Sequence, residues 1–303
     1  MSTQTTNGRA FEWAVGVCLK QQTGCPIASN KIAEQAFSEI SAGMQDRFRR
    51  AAHAAVSDIL QRENIDEKQY KCGSIVFNSD NAGERGDVRD ILFRFGDKTL
   101  GLSCKNNHEA MKHSRLSATV DFVKKWGLHS AGAGCSATYW NTVRPLFAEL
   151  DNIRETSPNI LWTNLSVDKP KRFYWPILNA WADEIDRLRE NPEAEKQLCR
   201  ALVAYLVGKY DFYKVICSSD KTVLLQAWNF NKTLATKPTK YPTFINKIND
   251  KNGGKYSKTI VFNDGYSINF RIHNASKKVE PSLKFDIKAT GLPPRIYQQT
   301  IGF

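Results

Sequence analysis

The sequence predicts a mixed α/β fold, helix-rich through residue 230 and β-rich and basic beyond it. Three observations carry this expectation. Apolar residues recur at helical spacing in the early segments, as at Phe11, Val15, Cys18 and Leu19. Two short β-rich runs, residues 91–95 and 99–104, flank a Gly96-Asp97-Lys98 turn and read as a β-hairpin. Residues 231–303 then hold eleven Lys and two Arg against three Asp and one Glu, a local charge of +9 out of +12 for the chain.

In chain order, residues 7–22 form a helix that Thr6 or Asn7 can cap. Residues 28–42 and 44–63 give two more helices, joined near Gly43. The basic cluster Arg47, Arg49 and Arg50 reads as a solvated face, and His53 among alanines as a packed residue. Residues 71–77 read as a strand that leads through a polar loop, residues 78–85, into the hairpin. Residues 115–128 carry Leu116, Val120, Val123 and Leu128 on one side, which predicts an amphipathic helix. Gly132-Ala133-Gly134 breaks the chain; no Gly-Lys-Ser/Thr follows it, which excludes a phosphate loop of the nucleotide-binding kind. Helices follow at 136–155, with Pro145 as a kink, at 176–190, and at 192–208, where Asn191-Pro192 is a start signal. A short strand is expected at 160–162. Residues 210–217 and 222–230 form a second hairpin. Strands at 256–262, 266–273 and 283–287 close the pattern. The composition shift at residue 231 separates a core, 1–230, from a basic lobe, 231–303, either as two domains or as parts of one continuous domain.

Composition narrows the function classes. Of 303 residues, 41% are hydrophobic, enough for a packed core. No apolar run reaches 18 residues, and residues 1–7 are polar, so neither a membrane span nor a secretory leader is expected. Seven cysteines occur without a CxxC pair or close Cys/His spacing, which argues against structural zinc and for reduced cysteines of a cytoplasmic protein. A positive charge concentrated in the last quarter of the chain is the footprint of phosphate-backbone binding.

The candidate chemistry lies in residues 86–115. Two acids, Asp87 and Asp90, precede the first hairpin run, and Ser103 and Lys105 end the second. Side chains alternate along a strand, so Ser103 and Lys105 share a face. A loop with an even number of residues places Asp90 on that face; a three-residue loop places Asp87 there. A carboxylate at this point can bind a divalent metal through oxygen, and the metal polarises a phosphoryl oxygen and acidifies a bound water. The lysine ammonium can orient the water or neutralise charge developing on the phosphate.

This layout resembles the PD-(D/E)xK nucleases. Within that superfamily, GDVRDI, SCKNNH and MKHSRLS across residues 86–117 resemble the HaeIII family of type II restriction endonucleases, with a weaker likeness at Gly8-Arg9-Ala10-Phe11-Glu12. The resemblance implies a PD-(D/E)xK core and Mg2+-dependent cleavage of double-stranded DNA at GGCC. It also implies a partner methyltransferase acting on the same site and a bacterial cytoplasmic setting. Asp90 is the first metal ligand, Asp87 the second, and Lys105 positions the water and the scissile phosphate. The superfamily usually has an acid where this chain has Ser103. The compensating carboxylate is expected from Glu12 on the first helix, with Glu34 and Glu39 as alternatives; as a plain first-turn glutamate, Glu12 would only favour the helix dipole.

Asn106, Asn107, His108, Lys112, His113 and Arg115 crowd the end of the second run, and Lys284 and Arg295 add cations in the basic lobe. Such side chains read base edges and phosphates. A palindromic target suits a homodimer with one active site per strand, or a monomer that nicks and rebinds. Two alternatives stand beside the restriction enzyme: a related nuclease with another target or a repair role, and a DNA-binding protein whose catalytic site has decayed at Ser103.

Overall fold

The computed structural model describes residues 3–65, 73–79, 86–107, 110–251, 253 and 255–303. Among them are seven α-helices and eleven strands in two sheets, a mixed α/β architecture. The chain divides into two compact units, each made of separated segments. The first holds Met1–Glu109, Gly208–Lys240 and Arg295–Phe303; the second holds Ala110–Val207 and Tyr241–Pro294. This division does not run through residue 231. The basic segment past 240 shares a unit with residues 110–207, and the last nine residues return to the first unit.

The first unit begins with helices α1 (Thr3–Thr23), α2 (Lys31–Glu39) and α3 (Ala42–Glu63). Asn30 caps α2 through Ala33 N, and Ser41 caps α3 through Met44 N, so the break falls at residues 40–41 and Gly43 lies inside α3. Its strands are β1 (Ser74–Phe77), β2 (Ile91–Phe95), β3 (Lys98–Asn106), β5 (Phe212–Cys217), β6 (Thr222–Trp228) and β11 (Tyr297–Gly302). They form one sheet in the order β1-β2-β3-β5-β6-β11. All its pairs are antiparallel except β3 with β5, and the chain between those two strands runs through the second unit's residues. One face is the core: Ile91, Phe93, Leu100, Leu102, Cys104, Tyr213, Val215 and Leu225 cluster with Phe11, Val15, Phe48 and Val56 of α1 and α3. At roughly 25 cal/mol per Å2 of apolar surface, this burial is the main term holding the unit together.

The second unit contains β4 (Ala110–Ser117), a short α4 (Phe122–Lys125), α5 (Ala137–Thr156), α6 (Trp175–Leu188) and α7 (Pro192–Val207). Strands β7 (Ile245–Lys251), β8 (Ser257–Phe262), β9 (Ser267–Asn274) and β10 (Ser282–Gly291) complete an antiparallel sheet ordered β4-β10-β9-β8-β7. Trp126 and Trp181 pack against Phe270 and Phe285, and Trp126 stacks on Tyr205 at 5.0 Å.

Several expectations are corrected here. The helix expected over 115–128 is a strand through Ser117 followed by the single turn of α4. Leu116 is buried because it faces the core from β4, where it pairs with Leu283. β7 and β11 were not expected: their sequences, INKINDK and YQQTIG, lack alternating apolar residues because both are outermost in their sheets. His53 is exposed on α3, not packed. Arg47 is not wholly solvated, since its Nη2 donates to Ser218 O at 2.6 Å. The strand expected at 71–77 begins at Ser74, and residues 71 and 72 lie outside the described residues.

Candidate active site

β2 and β3 are joined by the two-residue loop Gly96-Asp97, with Phe95 opposite Lys98. Gly96 takes φ +54°, open to glycine without a Cβ penalty. The loop is therefore even, and Ile91 lies opposite Leu102. Asp90, one residue earlier, comes to Ser103; its N–H donates to Leu102 O at 2.7 Å. One carboxylate oxygen, Asp90 Oδ2, accepts from Ser103 Oγ at 3.1 Å, Cys104 N at 2.6 Å and Lys105 Nζ at 3.1 Å. Among the described residues Oδ1 takes no hydrogen bond, so that oxygen remains for a cation. The pair is partly open to solvent, with Lys105 at 29% and Asp90 at 23% exposure.

Burial alone would lower the Lys105 pKa. The charge and hydrogen bond of Asp90, then the charge of Glu12, outweigh it and hold the ammonium above its usual value. Glu12, half-buried on α1, also acts on Cys104. Burial, then Asp90 and then Glu12 push that thiol well up, leaving Cys104 an inert core residue. The charge of Glu12 thus reaches the end of β3. Glu34 and Glu39 are exposed on α2, and Glu39 accepts from Gln35 Nε2 at 2.7 Å.

Asp87 has a different partner. Arg89 donates to it from Nε at 2.7 Å, Nη2 at 2.8 Å and the backbone N at 3.2 Å. Burial raises the Asp87 pKa, but the bonds and charge of Arg89 prevail and hold it below the usual carboxylate range. The Arg89 side chain lies flat over Gly101, where an added Cβ would sit 2.1 Å from its Cδ, and continues over the Tyr210 ring at 4.1 Å. Gly101 is thus required for the clamp on Asp87.

Among the described residues no group of three or more His, Cys, Asp or Glu side chains is arranged to hold a metal. The donors present still suit one kind of ion. Mg2+ keeps several waters and is commonly bound through one or two carboxylates plus substrate phosphates. The Asp90 Oδ1 oxygen and the Glu12 carboxylate fit that requirement; they do not fit zinc, which takes four protein or near-protein ligands.

The expected DNA contacts divide between the units. In the first, Asn106 ends β3 with its Oδ1 buried and unpartnered among the described residues. Asn107 turns the chain away at φ +50°, its N–H on Cys217 O at 2.9 Å, and is exposed. Arg295 is exposed. His108 lies outside the described residues. In the second unit, Lys112 faces inward, its Nζ 3.7 Å from the Tyr205 ring centroid and bonded to Tyr205 O. The backbone of His113 pairs with Asp286. Arg115 is 52% exposed and bonded to Glu280 at 3.1 Å.

Strand register arranges more cations around Arg115 than the sequence suggested. Leu283, Phe285 and Ile287 face the core, so Lys284 and Lys288 face the other way. Lys284 lies in line with Arg115 and His273; Asp286 lies in line with Arg271, bonded to it at 2.9 Å. Lys247 and Lys251 join the same face from β7 through Val261 and Ser257. The polar face of this sheet thus carries Arg115, Arg271, Lys247, Lys251, Lys284 and Lys288. Sequence reading missed four of them because single charges in short strands reveal their common face only once the register is known.

The HaeIII restriction endonuclease family model matches residues 8–293 of the chain. This chain belongs to the HaeIII restriction endonuclease family. It is 34% identical to the type II restriction enzyme HaeIII of Haemophilus aegyptius over 313 aligned residues, covering 96% of this chain and 95% of the relative. No solved structure matches. Membership of the HaeIII family spans both units, and it includes both the Asp90–Ser103–Lys105 cluster and the basic sheet face. Among the described residues no helix is long and apolar enough to cross a membrane.

Proposed function

We propose that this type II restriction endonuclease hydrolyses double-stranded DNA at GGCC in a Mg2+-dependent reaction centred on Asp90, Ser103 and Lys105. The observation that carries the reading is the convergence of three donors on Asp90 Oδ2, which fixes the carboxylate and, among the described residues, leaves Oδ1 for a metal. GGCC is favoured by the likeness to HaeIII along nearly the whole chain. A PD-(D/E)xK core is favoured by an acid at one strand start and a lysine at the end of its hairpin partner.

In this reading Asp90 and Glu12 hold the metal. When bound, Mg2+ supplies Lewis-acid polarisation of a phosphoryl oxygen and an acidified water. Lys105, kept protonated by Asp90 and Glu12, donates to the phosphate and neutralises charge that develops there. Ser103 replaces the usual acid and acts as a donor that orients Asp90. Asp87, clamped by Arg89, supports the loop into β2 more than the metal. The basic sheet face of the second unit binds phosphates, and Arg115 and Lys284 serve as DNA contacts. A methyltransferase acting on the same sequence protects the host DNA, and a two-fold homodimer matches the palindrome.

The test is to incubate the protein with phage DNA and Mg2+ and to sequence the fragment ends. Ends within GGCC support the reading. Ends at another fixed sequence overturn the target, and intact DNA overturns the catalytic assignment.

A further inference from the structure

The chain re-enters the first unit at Gly208, and the first residues of that return are fixed against the segment that leads into Asp90. Lys209 N donates to Gly86 O at 2.8 Å. Gly208 takes φ +105°, and a Cβ there would lie 3.0 Å from Val88 Cγ2 and 3.2 Å from Gly86 O. Tyr210 follows, its ring centroid 4.1 Å from the guanidinium carbon of Arg89. Arg89 in turn crosses Gly101 of β3 and is held twice by Asp87. Leu100, Leu102 and Cys104 lie in the core, so Gly101 shares the opposite face with Ser103 and Lys105. The step from Gly101 to Ser103 is two residues, or roughly 7 Å. A chain of contacts thus places Tyr210 close to the Asp90–Ser103–Lys105 cluster.

Tyr210 is fixed and yet open. At 50% exposure it is the only exposed aromatic side chain among the described residues of the first unit. Lys209 is exposed as well. Among the described residues neither the Tyr210 hydroxyl nor Lys209 Nζ has a hydrogen-bond or ion-pair partner. The Asp87–Arg89 pair is neutral as a unit, so the uncompensated positive charge at this place is that of Lys209. A ring already stacked on a guanidinium loses little side-chain freedom when its hydroxyl meets a ligand.

We propose that Lys209 and Tyr210 hold a DNA backbone phosphate within two nucleotides of the cut. The roughly 7 Å between Gly101 and Ser103 equals about two nucleotide steps of helix rise along one strand. Lys209 supplies charge and Tyr210 a hydroxyl donor, both common phosphate partners that position the duplex without reading its sequence. Holding a neighbouring phosphate sets where the scissile one lies over Asp90 and Lys105. A purely structural tyrosine and lysine would not alter the salt dependence of DNA binding or respond to one particular phosphate. The proposal rests on the reading of Asp90, Ser103 and Lys105 as the cutting centre.

The experiment compares wild type, Lys209→Met, Tyr210→Phe and a control, Lys20→Met, at an exposed lysine in the last turn of α1. Tyr210→Phe keeps the ring on Arg89 and removes only the hydroxyl. Affinity for a GGCC duplex is measured without divalent metal across salt concentrations, and folding by thermal melting. The duplex is then remade with a neutral methylphosphonate at one backbone position at a time. Lys209→Met should bind roughly threefold or more weaker, with the slope of log affinity against log salt shallower by about 1. Tyr210→Phe should bind roughly threefold or more weaker at the wild-type slope. Lys20→Met should match wild type. One methylphosphonate within two nucleotides of the cut should weaken wild type and cost Lys209→Met nothing further. The proposal is overturned if either site variant binds within about threefold of wild type, or if Lys20→Met flattens the slope as much as Lys209→Met. It is also overturned if no methylphosphonate in that span is silent in Lys209→Met, or if the losses only follow the folded fraction. Failure of wild type to cut the unmodified duplex with Mg2+ would instead sink the cutting centre, and metal-free affinity does not depend on that result.

Discussion

Asp90→Asn keeps the size of the side chain and removes its charge, and it separates the chemistry from the fold. Lys105 Nζ lies 3.1 Å from Asp90 Oδ2. A pair of unit charges at that distance is worth roughly 5 kcal/mol at an effective dielectric of 20. Desolvation cancels much of this, and hydrogen bonds to charged groups net only about 1.5–3 kcal/mol. Both side chains are under one-third exposed, so solvent screening is partial. Asparagine keeps an oxygen for the Cys104 N–H, so the expected loss of stability is about 1–3 kcal/mol, or roughly 2–4 °C in Tm per kcal/mol. The pH dependence has a definite sign. The Lys105 pKa is raised in the folded state. Its stabilising contribution is present below the unfolded lysine value, about 10.4, and is lost as pH rises through the higher folded value. Asp90→Asn should therefore cost stability at pH 7 and flatten the alkaline decline seen in wild type. Cleavage should fall at least about 1000-fold, because the metal loses its first carboxylate. Melting curves at pH 7 and pH 11 and single-turnover cleavage at pH 7 check both parts. A variant that cuts within tenfold of wild type, or melts unchanged at pH 7, would refute the reasoning.

Three further outcomes are expected. Glu12→Gln should raise the Mg2+ needed for half-maximal cleavage with little change in duplex affinity; an unchanged Mg2+ titration would return the search to Glu34 and Glu39. Asp87→Ala should reduce cleavage less than Asp90→Asn. Because the Asp87 pKa is lowered, its contribution to stability is present above the unfolded value of about 3.9 and lost as pH falls through the folded value; acid melting of wild type and Asp87→Ala should converge below that range. Arg115→Ala should cost about 1–3 kcal/mol of affinity for a GGCC duplex if it reads a base, whereas equal loss on unrelated DNA marks a phosphate contact.

The hairpin was legible because its signals are local: a Gly-Asp loop, alternating side chains and two acids whose placement depended only on loop length. Glu12 stood out in the sequence only as the polar edge of an apolar helical stripe. The rest depends on long-range pairing. Nothing in residues 98–106 announces a parallel partner more than a hundred residues later, so the approach of Tyr210 to Arg89 was hidden. The helix expected from residue 115 took in the end of β4, whose polar side chains do not alternate cleanly; Lys112 is half-buried against Tyr205 through its charge–ring contact and its bond to Tyr205 O. The basic charge of residues 231–303 was countable, but its gathering on one sheet face required β4 from a distant part of the chain.

The most direct test of the Asp90–Ser103–Lys105 cluster as the cutting centre is single-turnover cleavage of a GGCC duplex by wild type and Lys105→Ala, with Mg2+ and with EDTA. Duplex affinity is measured in parallel. The expected result is cutting by wild type only with Mg2+, and at least about 1000-fold slower cutting by Lys105→Ala at nearly unchanged affinity. Near-wild-type cutting by Lys105→Ala, or cutting by wild type in EDTA, would contradict it.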